Sequence, residues 1–143
     1  MSYTDKQGLI DRFGEKELIQ LTDRTNVPPT TVDDTVVEKA LTDAHSLLNS
    51  YIAKRYTLPI SPAPEILVRM EADVARYYLH GTRADKDGEV ERAYRDAVAW
   101  AKDVSRGLVQ LEDDGSPVEA AGGGEVRIEA PDRIFSRDSL KSF

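Results

Sequence analysis

Apolar residues recur at helical spacing from Leu9 to Val104 and lose that spacing after Gly107. The widest stripe is Val37, Ala40, Leu41, Ala44, Leu47, Leu48, Tyr51 and Ile52, which predicts a helix capped by Asp33 or Asp34 and running to about Arg55. Ile66, Leu67, Met70, Val74, Tyr77 and Tyr78 predict another, opened by Pro64, where a missing amide costs little, and stopped by Gly81. Val90, Tyr94, Ala97, Val98, Ala101 and Val104 predict a further helix over about Asp87 to Arg106, with Trp100 beside the stripe and Gly107 as the stop. Upstream, Thr4-Asp5-Lys6-Gln7 reads as a capping box before a short helix with Leu9, Ile10 and Phe13 inward. Gly14 ends it, and Glu15 to Leu21 predicts a second short helix. Pro28-Pro29 marks Thr22 to Thr31 as a loop, and the three prolines between Leu58 and Pro64 mark a connector.

Beyond Gly107 the pattern predicts a strand over Leu108 to Leu111, a turn at Asp113-Asp114-Gly115, and a second strand over Glu125 to Glu129 in which Val126 and Ile128 alternate with charge. Gly122-Gly123-Gly124 makes the intervening stretch flexible. The fold class is therefore mainly α: a small bundle of about four to five helices over residues 1–108, followed by an extended C-terminal arm with short β-strands over residues 109–143.

Length and charge narrow the function classes. A chain of 143 residues suits one ordinary domain with an appendage. There is no cysteine, which removes disulfides, thiolate metal sites and cysteine nucleophiles. The formal charge of -7 disfavours generic electrostatic binding to nucleic acid or anionic membrane. No signal-peptide pattern opens the chain, and no apolar run approaches the roughly 20 residues needed to cross a bilayer. A soluble protein without membrane contact is expected.

No catalytic, metal or cofactor constellation stands out. His45 and His80 lie on different predicted helices without partners at ligand spacing, so structural or solvent roles are expected and no metal is predicted. Asp33-Asp34 opens a helix and Asp113-Asp114 sits in a turn, where aspartate serves the backbone; neither has a base or nucleophile beside it. The triple glycine lacks the Lys-Ser/Thr of a phosphate-binding loop. The chain thus reads as a non-enzyme without a cofactor.

Two features suggest interaction instead. Arg69, Arg76 and Arg83 recur every seven residues and stay near one helix face with Asp73 and His80, a spacing that reads either as an ion-paired surface or as contacts to phosphates or an acidic partner. Tyr77, Tyr78, Tyr94 and Trp100 fit core spacing better than a base-stacking platform. At the end of the chain, Ile134 and Phe135 within Arg133 to Asp138, then Leu140 and Phe143, are apolar residues in a segment too small for its own core. With Val126 and Ile128, they are candidate docking residues.

The opening Leu9-Ile10-Asp11-Arg12-Phe13-Gly14-Glu15-Lys16-Glu17-Leu18, the central Leu47-Leu48-Asn49-Ser50-Tyr51-Ile52 with Arg55-Tyr56-Thr57-Leu58-Pro59-Ile60, and the closing Phe135-Ser136-Arg137-Asp138-Ser139-Leu140 together resemble the small head-tail connector, or head completion, proteins of Mu-like phages and prophages. The resemblance covers nearly the whole chain. It implies a helical virion subunit, made in the host cytoplasm, that joins a ring of about twelve copies beneath the portal protein. Such a ring would seal the channel, receive a tail-side joining protein, and let packaged DNA pass without specific binding. The resemblance implies no catalytic residues. From a different class, a small helical DNA-binding regulator using the Arg69, Arg76 and Arg83 face is the alternative.

Overall fold

The computed structural model describes residues 2–113 and 115–120. Five α-helices are present among them: α1 (Lys6–Phe13), α2 (Glu15–Thr22), α3 (Asp34–Ile52), α4 (Glu65–His80) and α5 (Glu89–Arg106). A 3-10 turn, Gly81–Arg83, follows α4. The mainly helical character read from the periodicity is what the described residues adopt.

The stripes define the core. α3 and α4 pack most extensively on each other, and α5 lies against both. Val37, Ala44, Leu48 and Ile52 from α3 meet Leu67, Val74 and Ala75 from α4 and Ala97, Ala101 and Val104 from α5, all fully buried. The many alanines at these positions let the helix axes approach closely. α1 and α2, joined only by Gly14 at φ 90°, fold across α3 and α4 and contribute Leu9 and Leu18. Tyr78, Tyr94 and Trp100 pack against the core's margin, with Tyr77 and Tyr94 stacked at 4.1 Å between centroids.

Element ends differ from the sequence reading for local reasons. The cap of α1 is Asp5, whose carboxylate accepts the Gly8 N–H at 2.8 Å; the Thr4 N–H is already given to Glu71, and Gln7 turns to Asp11 instead of back to the cap. α3 is capped by Asp33 and ends at Ile52, because the Ile52 carbonyl accepts from both Arg55 and Tyr56 and closes a turn. Pro64 is the N-cap of α4, one residue earlier than its first helical turn, and α5 begins at Glu89. Gly107 ends α5 in the left-handed region at φ 79°, and a Cβ there would run into the Arg55 guanidinium.

The strand expected over Leu108 to Leu111 does not form. Leu111 is instead fully buried, its N–H given to the Tyr56 hydroxyl at 3.0 Å and its carbonyl to the Val118 N–H at 2.8 Å. Pairing starts one residue later, in a minimal antiparallel hairpin of β1 (Glu112–Asp113) and β2 (Ser116–Pro117), and Tyr56 makes an isolated bridge to Ala120. Leu111 therefore joins the helical core from beyond the boundary placed at residue 108. The strand expected over 125–129 lies outside the described residues.

Candidate functional site

The loop between α2 and α3 shows how one side chain can organise a segment with no secondary structure. Asp23 is almost fully buried, and its carboxylate accepts the backbone N–H groups of Thr25, Asn26, Thr30 and Thr31 at 2.9 to 3.1 Å. Those bonds, led by the one from Thr30, stabilise the ionised carboxylate and hold its pKa far below the ordinary carboxylate range. Thr22 continues the anchoring by accepting the Asp33 N–H at 3.0 Å. The fastened loop leaves Val27 97 % exposed at its tip.

A buried polar chain ties the N-terminal segment to the bundle. Glu71 on α4 is fully buried; one oxygen accepts the Thr4 N–H at 2.8 Å and the other lies 3.0 Å from His45 Nδ1 on α3. His45 Nε2 lies 2.8 Å from the Asn49 amide, whose oxygen accepts the Tyr3 hydroxyl at 2.7 Å. The Tyr3 and His45 rings are 4.6 Å apart. With the amide in this sense the donors run from Tyr3 through Asn49 and His45 to an ionised Glu71; turned over, the same atoms support the opposite polarity with Glu71 protonated. Burial pushes the Glu71 carboxyl up to about 7, against the pull of the Thr4 N–H. Burial also lowers His45.

The arginines singled out by spacing do not act as one stripe. Arg69 is exposed and sits 4.0 Å from Asp73. Arg76 is largely enclosed: it bonds Glu17 at 2.8 Å, reaches Glu89 at 3.7 Å, and lies over the Phe13 ring at 4.5 Å. His80 Nε2 shares the same Glu17 oxygen at 3.3 Å. Arg83 is off the helix, in the 3-10 turn, and reaches the Gln20 carbonyl at 3.5 Å. Arg76 and Arg83 thus hold α2 against α4. The remaining candidates, Val126, Ile128, Ile134, Phe135, Leu140 and Phe143, lie outside the described residues.

What spacing along α4 could not show is that docking of α1 and α5 adds Arg12 and Arg92 to Arg69 and Arg76. Together they line a cleft of about 600 Å³ that also holds Asp73, Glu89 and Asp96. Burial raises Asp73 in spite of the nearby charges of Arg69, Arg12 and Arg76. Among the described residues Arg12 and Arg92 form no ion pair. No group of three or more metal-ligating side chains gathers among the described residues, and no described helix is long and apolar enough to cross a membrane.

Comparison with relatives places these features in a known protein family. The family model described as Bacteriophage Mu, Gp36 matches residues 3–130. The chain belongs to that family. It is 29% identical over 143 residues to the Mu-like prophage FluMu protein gp36 of Haemophilus influenzae, covering 99% of this chain and 97% of the relative. It is 32% identical over 138 residues to gene product J of Escherichia phage Mu, covering 96% of each. This is a phage protein family, and the match takes in the buried polar chain, the arginine cleft and the hairpin alike.

Proposed function

We propose that the protein is a head-tail connector, or head completion adaptor, of a Mu-like phage or prophage: a virion subunit that joins a ring of about twelve copies beneath the portal protein and offers a platform to a tail-side joining protein. The observation that carries this reading is the match to the Mu family over residues 3–130, with two phage and prophage relatives aligned nearly end to end. The architecture supports it physically. A bundle of three long helices braced by a cross-packed helical pair suits a ring subunit, which has to hold its shape between neighbours. The formal charge of -7 lets DNA pass a ring of such subunits without adhering.

The Arg69, Arg76 and Arg83 face gives the DNA-binding alternative little support, because Arg76 is engaged by Glu17 and Arg83 lies off α4. Mixing the purified chain with the portal protein of its own phage, then examining the product by electron microscopy and mass measurement, tests the proposal. A closed ring seated on the portal is expected. A chain that ignores the portal, yet retains duplex DNA at submicromolar concentration in a salt-sensitive manner, would establish the regulator instead.

A further inference from the structure

The arginine cleft and the acidic hairpin stand at opposite ends of α5. Arg92 and Ala93, in its first turns, line the cleft with Arg12 of α1 and Arg69 of α4. The hairpin follows its C-terminal end and is pinned there by Leu111 in the core and by the Tyr56 hydroxyl. The fourteen steps from Arg92 to Arg106, at a rise of about 1.5 Å each, put the two ends about 21 Å apart. The hairpin of a given chain is held away from that chain's own cleft.

Their charges are complementary. Residues 112–119 contain four acidic residues in sequence and no lysine or arginine, and Glu112 and Glu119 are exposed. The cleft holds the guanidinium groups of Arg12 and Arg92, both exposed and without an ion pair among the described residues. Among the described residues Arg69 beside them has only the 4.0 Å contact to Asp73. Guanidinium groups take carboxylates in a bidentate fork, which favours discrete acidic side chains. Asp73, Glu89 and Asp96 interrupt the positive field, which disfavours a continuous phosphate backbone but leaves room for individual carboxylates placed between them.

Resting on the connector reading above, we infer that the acidic hairpin of one copy, around Glu112 and Glu119, docks in the arginine cleft of the next copy. A donor surface at one end of the subunit and an acceptor at the other is a head-to-tail contact, the kind that closes into a ring when the rotation between copies allows. Screening by salt follows from the exposure of the charges.

Sedimentation of the full chain across concentration, at about 50 and about 500 mM salt, tests this. Arg12→Glu with Arg92→Glu, and separately Glu112→Lys with Glu119→Lys, should each weaken self-association by about tenfold or more. All four side chains are exposed, so helical circular dichroism and melting serve as controls that the fold is kept. Combining the four substitutions in one chain should restore association, which a general loss of solubility or stability would not do. Association that survives both reversals overturns the hairpin-in-cleft contact and leaves a ring built some other way. A wild-type chain that stays monomeric throughout, also with its portal present, overturns the contact and the ring reading together. Duplex DNA binding abolished by Arg12→Glu with Arg92→Glu assigns the cleft to phosphate and overturns the contact as well.

Discussion

Glu71 is a carboxyl that burial moves well above its ordinary range. Folded, it keeps its proton up to about 7, whereas an unfolded glutamate releases it near ~4.3. The folded state therefore holds the extra proton between those values, and stability falls as pH rises through that window. His45 works in the opposite sense, because its folded value is lowered and the unfolded chain binds the extra proton below ~6.5. The two effects oppose each other up to ~6.5, and the loss due to Glu71 stands alone from there to about 7. Glu71→Gln, which can still accept from Thr4 and donate to His45, should remove that decline in urea unfolding measured across pH. Glu71→Ala should cost about 1 to 3 kcal/mol for each partner it leaves unsatisfied, the Thr4 N–H and the His45 ring. An unchanged decline in the glutamine variant would assign it to another group. None of this was legible in the sequence: Glu71 falls between Met70 and Val74 on a stripe read as apolar, and only docking of residues 3 and 4 against α4 explains a carboxylate there.

At the scale of elements, periodicity carried most of the information, since an apolar stripe at helical spacing has one physical outlet, burial against another stripe. Leu48 illustrates it. The period puts it at the centre of α3, and it is fully enclosed between α4 and α5. Leu48→Ala should therefore destabilise by about 2 to 5 kcal/mol, measured by denaturant unfolding, and a change within ~0.5 kcal/mol would mean the site collapses around the loss or was never enclosed. Ends were less legible than stripes. Thr4 looked like a cap by residue type, but the Asp5 carboxylate accepts the Gly8 N–H, and the Thr4 N–H goes to Glu71 and not to Gln7. The arginine spacing on α4 failed in a similar way. A helical wheel places Arg69, Arg76 and Arg83 on one face, yet the chain leaves the helix at Gly81 and α2 arrives to take up Arg76. The cleft residues Arg12 and Arg92 had no sequence signal, because three separate elements assemble the cleft.

At the scale of the molecule, the remaining matter is where the folding unit ends. Composition put the boundary at residue 108, since helical pattern stops at Gly107 and turn residues follow. Packing argues for a later one. Leu111 is fully buried, Tyr56 is almost so and takes the Leu111 N–H, and Val109 and Val118 rest against the core. A chain ending at residue 120 retains each of these contacts, whereas one ending at residue 108 opens a hole beside Tyr56 and leaves its buried hydroxyl without that donor. Losing the Leu111 side chain alone removes about 1.5 to 3 kcal/mol of burial, and the orphaned hydroxyl adds to it. The shorter chain should accordingly keep its helical circular dichroism while melting at lower temperature and lower denaturant concentration than the longer one. It should also lose self-association, because it lacks Glu112 and Glu119. Equal melting of the two truncations would make the hairpin a passenger on a core complete at Gly107. A chain ending at residue 120 that melts cooperatively but no longer seats on the portal would place the docking residues among 121–143, where Ile134, Phe135, Leu140 and Phe143 lie.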